Sequence, residues 1–450
     1  MIGKEKLFNR LEKTLARSRA DETDVVFTGT ESGLTRYANS EIHQNVFENN
    51  TKIIFRSVIG KKVGVASTNS LNTDDLKAAL ANSYEIAMNQ PENPDFPGLP
   101  GPAKYREMDT YDEHTAKYSP LDRAKTVKKI IAAADDRGFT VAGALSSGRS
   151  EIAVLNSKGV RAYQPASHAA VNIISMSDTS SGYAAGLSRR VNDIDFDMLA
   201  GRAVSKCDIA QNPKDVEPGE YEVILEPPAV GELLEWLNYI GFGSKSFEDG
   251  TSFLAGKIGK KITSEMITIS DDALDQKSIA FPFDFEGNPK KKVTFIDKGT
   301  AKGVVHNRMS AKKEGVRTTG HALPPDESAE GALGLNMSVV PGKAARSKMI
   351  EKVKKGILVT RFHYINGFID TANAVLTGMT RDGTFLIENG EIVSGLKNLR
   401  FTDSMLRAFG TAVAISKETE LIESWWSSVG CIKAPVLHLG SFRFSGKTSF

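Results

Sequence analysis

Five of the chain's 17 prolines fall between positions 91 and 102, as Pro91, Pro94, Pro97, Pro100 and Pro102. Proline fixes φ and donates no backbone hydrogen bond, so a run this dense can be neither a helix interior nor a central strand. It predicts an extended tether over 91–102 and separates two cycles of elements. Before it, Leu7, Leu11 and Leu15 recur at helical spacing among charged residues, which reads as an amphipathic helix rather than a signal peptide. Residues 24–27, 34–37, 42–47, 51–58 and 62–66 read as short strands, with turns at Glu31-Ser32-Gly33 and Ile59-Gly60. Asn72 then caps a helix running to Asn89, with Leu76, Ala79, Leu80 and Ile86 on one face.

Beyond the tether the order repeats. A helix over 121–134 precedes strands near 140–144, 151–155, 160–163 and 168–177, and a helix over 195–210 closes the cycle. Helix, strand cluster, helix thus occurs twice, which suggests internal pseudo-symmetry. A boundary is expected between Asn212-Pro213 and Pro218-Gly219. After it, residues 221–225 read as a strand, and Pro227-Pro228 open a helix whose apolar face carries Val230, Leu233, Leu234, Leu237 and Ile240. Most of the remainder reads as strands, with helices expected over 300–311 and 345–353. The fold class is therefore α+β with two unlike domains. The first, 1–212, holds strand clusters and helices; the second, 219–450, is β-rich and mixed or barrel-like.

At 450 residues the chain is long enough for two cores. Lys+Arg number 57 and Asp+Glu 55, a net charge of +2, and 40% of residues are hydrophobic. Whole-chain disorder is excluded, and the charge balance argues against nucleic acid as a partner. No apolar run is long enough to span a membrane. Two cysteines, Cys207 and Cys431, form no disulfide framework and point to a reducing, cytoplasmic location.

Residue chemistry alone assembles no active site. The seven histidines are His43, His114, His168, His306, His321, His363 and His438, all too far apart for a zinc-binding pair on one helix. Gly440 to Thr448 and Gly250 to Lys257 each carry one residue too many for a phosphate loop, and no G-x-S-x-G elbow exists. Cys431, close to Lys433, reads either as an activated thiol or as a small buried hydrophobe, with the second favoured. Lys290-Lys291-Lys292 reads as the solvated start of a strand, and Trp425-Trp426 as a core edge or subunit interface. Glu232, Glu235 and Tyr239 form the polar side of the helix after Pro227. A paired-carboxylate catalyst is conceivable there, but a solvated face is the simpler reading.

Several segments, in order, resemble the TldD/PmbA family, known both as modulators of DNA gyrase and as zinc-dependent peptidases with their partners. They are residues 34–44 (LTRYANSEIHQ), 60–69 (GKKVGVASTN) and the proline-rich stretch ending Gly98-Leu99-Pro100. In the second half they are 254–262 (LAGKIGKKI), Phe285-Glu286-Gly287, Thr318-Thr319-Gly320-His321 and 386–390 (LIENG). The resemblance implies a cytoplasmic, dimeric protein. In the TldD-type subunit a helix early in the second domain carries H-E-x-x-x-H and a later cysteine completes a zinc site; the PmbA/TldE-type subunit lacks the motif. Here Glu235, Trp236 and Ile240 stand at the His, Glu and His positions, and no histidine occurs between His168 and His306. The resemblance thus implies a PmbA/TldE-like chain with no metal of its own. Zinc is expected in a TldD-like metallopeptidase partner, with extended peptides as substrate. Glu232, Glu235, Trp236 and Cys431 are the candidates for lining a peptide groove. Two other readings remain: a stand-alone hydrolase using Cys431 or a cluster of His321 and His363, and a non-catalytic homodimeric interaction protein.

Overall fold

The computed structural model describes residues 1–425 and 429–448. Its first sheet is wholly antiparallel, in the order β3-β2-β1-β4-β5-β6. Helix α1 (Lys4–Leu15) leads into β1 (Glu22–Ala38), β2 (Glu41–Ile59), β3 (Lys62–Thr68) and α2 (Thr73–Asn89). A short α3 (Glu113–Ala116) then precedes α4 (Pro120–Asp135), β4 (Thr140–Asn156), β5 (Arg161–Met176), β6 (Ser181–Ser188) and α5 (Phe196–Ile209). The predicted strand pieces fuse. Residues 24–37 form one strand rather than two separated by a turn at Glu31-Ser32-Gly33, because β1 is paired along both edges, with Ser32 facing Glu48 on one side and Gly148 on the other. The pieces at 140–155 and 160–177 likewise merge into β4 and β5.

The repeated cycle is a structural repeat: helix, three-stranded meander, helix, with β1 and β4 antiparallel at the centre. Both copies seat their last helix by the same device. A Cβ at Gly64 in β3 would lie 2.2 Å from the backbone of Ser83 and Ala87 in α2, and one at Gly182 in β6 would lie 2.2 Å from the Ala203 carbonyl oxygen in α5. Only glycine permits such close approach of helix to strand. The long helices cover one face of the sheet. Phe8, Leu11, Val25, Phe27, Ile53, Phe55, Leu76 and Leu80 pack in one half, and Val127, Ile130, Val141, Ile173, Leu199 and Ala203 in the other. Strand alternation turns Val26, Ile54, Ile152 and Val154 to the opposite face, where Phe281, Phe283, Phe285, Leu323 and Leu335 cover them.

The proline-rich segment forms no helix or strand, and it is strapped down: Phe96 and Leu99 are buried, Glu22 accepts a bond from the Leu99 amide, and Asn156 Nδ2 donates to the Pro100 carbonyl at 2.8 Å.

The second sheet starts at β7 (Gly219–Leu225), followed by α6 (Pro227–Leu237) and α7 (Ser244–Glu248). Short strands β8 (Ile269–Asp271), β9 (Val293–Asp297) and β10 (Thr300–Ala301), helix α8 (Arg308–Lys313), β11 (Met337–Val339) and α9 (Arg346–Ile350) come next. Long strands complete it: β12 (Lys355–Asp370), β13 (Val375–Glu388), β14 (Glu391–Gly395), β15 (Leu399–Ser404), then α10 (Met405–Gly410), β16 (Ala412–Glu423) and β17 (Cys431–Lys447). Pairing runs β17-β15-β13-β12-β7, and β7 pairs back onto β17, so five strands close into a barrel. Phe362, Phe401 and Phe442 fill it with ring centroids 4.7–5.8 Å apart. The helix predicted over 300–311 is shorter: 300–301 pairs as β10, and only Arg308–Lys313 is helical, capped by Asn307 accepting from the Ser310 amide at 2.8 Å.

Candidate functional site

Pro227 and Pro228 start α6 and Val230, Leu233, Leu234 and Leu237 anchor it against the barrel. The helix widens into a π turn over Asn238–Phe242, where Gly241 leaves room for Phe253, whose ring would lie 2.0 Å from a Cβ. Asn238 fixes this end by bonding both the carbonyl and the amide of Gly334.

The polar side of α6 is not a solvated face. Glu235 is 3% exposed and accepts a hydrogen bond from Ser424 Oγ. Glu232 faces a cavity of about 380 Å³ that lies between the helix-free face of β5–β6 and the barrel. Glu423 and Trp425 close its far side, and Tyr183, Asn172 and Arg361 contribute from the two sheets. Burial, opposed by Arg361 and reinforced by Glu235, pushes Glu232 up to about 7. Partial loss of hydration raises Glu423 as well. Arg361 is committed elsewhere: Nε donates to Asp382 Oδ2 at 2.9 Å, Nη2 bonds the same oxygen, and the guanidinium lies 4.4 Å from the Tyr183 ring centroid. Asp382 reaches it because β13 takes a left-handed residue there, φ 50°, opposite an irregular register in β12.

Trp236 points along the same groove and meets Phe368 at 5.6 Å and Trp425 at 5.8 Å, while Tyr239 meets Phe368 at 5.7 Å. Phe368 is 61% and Trp425 49% exposed, so these rings form a surface strip rather than a core edge. Trp426 lies outside the described residues. Beyond the strip, Tyr239, Ile240, Lys245, Glu330, Leu333 and Phe368 line a second cavity of about 320 Å³.

Of the four sequence candidates, Glu232 lines the first cavity, Trp236 lies in the aromatic strip, and Glu235 is buried against Ser424. Cys431 does not join them. It is buried in a separate cavity of about 170 Å³ with Ser278 and Asn336; Ser278 Oγ and the Ile279 amide lie 3.4 Å from its sulfur. Burial pushes its thiol up, although these hydrogen bonds pull the other way. His321 is also buried, with Nε2 2.9 Å from Asp271 Oδ1 and Nδ1 3.0 Å from Thr319, whereas His363 lies on β12 against Tyr364. Among the described residues no three His, Cys, Asp or Glu side chains gather to hold a metal ion. Glu235 could offer oxygen, but the indole of Trp236 has no free lone pair and Ile240 has no donor atom. This donor set does not fit a catalytic zinc.

Arg361, Asp382, Tyr183 and Glu423 were not singled out from sequence. They come from four strands, and no local pattern links them.

Two of the segments carrying the family resemblance, 285–287 and 318–321, border a buried polar ridge that also holds Asp24, Arg56 and Asp284. Arg56 Nε bonds Asp24 at 3.1 Å, and Arg56 Nη1 lies 3.7 Å from Glu286. Asp284 accepts from the amides of Glu286, Asn288 and Ala322, next to His321. Burial and Asp284 together hold Glu286 up to about 7. Lys290, expected in solvent, is 4% exposed with its ammonium 4.2 Å from the Phe281 ring centroid. Phe281 and the nearby Asp271 and Asp284 draw it inward against the cost of burial.

Comparison with known proteins agrees with this architecture. Residues 23–87, 113–207 and 218–446 match, respectively, domain 1, the central domain and the C-terminal domain of the PmbA/TldA metallopeptidases. A metalloprotease TldD homolog from Buchnera aphidicola is 22% identical, covering 94% of this chain and 90% of its own. A metalloprotease PmbA homolog from Haemophilus influenzae is 23% identical, covering 86% of each. The crystal structure of TldE from Thermococcus kodakarensis superposes with a TM-score of 0.86 at 24% identity, covering 98% of this chain and 99% of that one. A proposed modulator of a DNA gyrase from Thermotoga maritima superposes with a TM-score of 0.87 at 18% identity, covering 98% and 100%. With its C-terminal model alone spanning more than half the sequence, the chain belongs to the TldD/PmbA family.

Proposed function

We propose that this chain is the metal-free, PmbA/TldE-like subunit of a TldD-type peptidase system and helps to enclose extended peptides. The observation that carries the reading is that no histidine occurs between His168 and His306; in the register the family resemblance implies, Glu235, Trp236 and Ile240, on α6 and the turn after it, stand where a metal-bearing relative would offer its ligands and base. Glu235 is tied to Ser424 instead. The groove beside α6 suits an extended chain: two cavities joined by a strip of aromatic rings, which bind through shape and apolar area with little sequence demand. Catalysis would then belong to a TldD-like partner carrying zinc. No helix of the described residues is long and apolar enough to cross a membrane.

Co-expression with a TldD-like metallopeptidase tests this. The expected result is a co-eluting hetero-oligomer with zinc only in the partner, and hydrolysis of an unfolded peptide only when both chains are present. Stoichiometric zinc and peptide cleavage by this chain alone would overturn it. Among the described residues the thiol reading finds only a buried, raised Cys431, and the histidine reading finds His321 enclosed by Asp271 and Thr319.

A further inference from the structure

The cavity between β5–β6 and α6 has an unbalanced charge. Glu232 and Glu423 face it, and among the described residues neither side chain has a hydrogen-bond or ion-pair partner. Among the described lining residues the one cation is Arg361, which is paired with Asp382; that carboxylate also lies 3.7 Å from Arg381 and accepts from Ser181 Oγ at 2.8 Å. Glu232 is half-buried and Glu423 stays exposed at the rim, so the two carboxylates leave the site with negative charge that a ligand bringing a positive charge would offset. The other walls suit what carries such a charge. Val171, Leu187, Leu421 and Ile422 offer apolar surface for a methylene stem, and the rings of Tyr183 and Trp425 offer π faces. A volume of about 380 Å³ exceeds one long side chain and lets the backbone continue along the groove past Trp236 and Phe368.

We propose that this cavity is a specificity pocket for a lysine or arginine side chain of an extended peptide, with Glu232 and Glu423 as the residues that select it. The inference rests on the peptide-handling part of the proposed function and not on the pairing with a metallopeptidase.

The test uses the full chain and fluorescently labelled, N-acetylated heptapeptides that differ only at the central residue: lysine, arginine, norleucine or citrulline. A fifth peptide has norleucine at the centre and a free amino terminus. Lysine and arginine peptides should bind about tenfold tighter than norleucine and citrulline. Glu232→Gln and Glu423→Gln should each erode that preference several-fold, read as the ratio of lysine-peptide to norleucine-peptide affinity. Glu423 lies at the rim, so its variant remains informative should the α6 variant fold poorly. Equal binding of all peptides, absence of binding, preference retained in the double variant, or tightest binding by the free amino terminus would each overturn the assignment. Co-elution with a metallopeptidase is scored separately: pairing without charge preference removes only this inference, and charge preference without pairing removes only the subunit reading.

Discussion

The raised carboxyl of Glu232 makes stability depend on pH in a direction that one substitution can expose. Its pKa rises from an ordinary 4.5 to about 7, with burial as the leading cause and Glu235 adding to it against Arg361. At about 1.36 kcal/mol for each tenfold change in protonation, that rise costs the folded protein roughly 3 kcal/mol once Glu232 is ionised. A carboxyl whose folded pKa lies above its unfolded one contributes stability in full below about pH 4.5, and loses that contribution as pH rises through about 7. Glu232→Gln keeps the shape and removes the charge. It should raise stability, relative to the natural chain, by less than about 1 kcal/mol at pH 5 and by about 3 kcal/mol at pH 8.5. Urea unfolding at both pH values, followed by tryptophan fluorescence and circular dichroism, reads the difference as a shift in midpoint at constant slope. Equal effects of the substitution at pH 5 and pH 8.5 would show that Glu232 titrates normally, and the description of the cavity as a dehydrated, partnerless carboxylate site would be wrong.

Three further outcomes follow from the packing. Arg56→Met leaves Asp24 and Glu286 buried without their cation and should cost about 3–5 kcal/mol in urea unfolding, with much of the loss recovered when Asp24→Asn is added. Gly64→Ala and Gly182→Ala each drive a methyl into helix backbone 2.2 Å away and should lower stability by about 1–3 kcal/mol, read as a fall in melting temperature. In a Cys207→Ala background, alkylation of Cys431 by iodoacetamide at pH 7.5 should be about a hundredfold slower than that of a free thiol and should recover on unfolding, since the thiol is enclosed and its pKa raised.

Much of the fold is legible from local pattern. Leucine spacing places α1, and the prolines at 227–228 start α6, because each signal acts within one turn of its own backbone. The doubling of helix, strand cluster and helix is legible too, and so is the missing imidazole on α6, since an absent donor needs no tertiary information. What the sequence could not settle depends on neighbours far away in the chain. Glu31-Ser32-Gly33 looks like a turn until β2 and β4 pair along both its edges and hold it extended. Glu232, Glu235 and Lys290 look solvated until segments distant in the chain pack against them, and burial of a charge is decided by those contacts rather than by the residue's own helix or strand. The closing of β7 onto β17 and the meeting of Tyr183, Arg361 and Glu423 around one cavity belong wholly to the tertiary structure, because hydrogen-bond pairing and dehydration are properties of contacts made across the molecule.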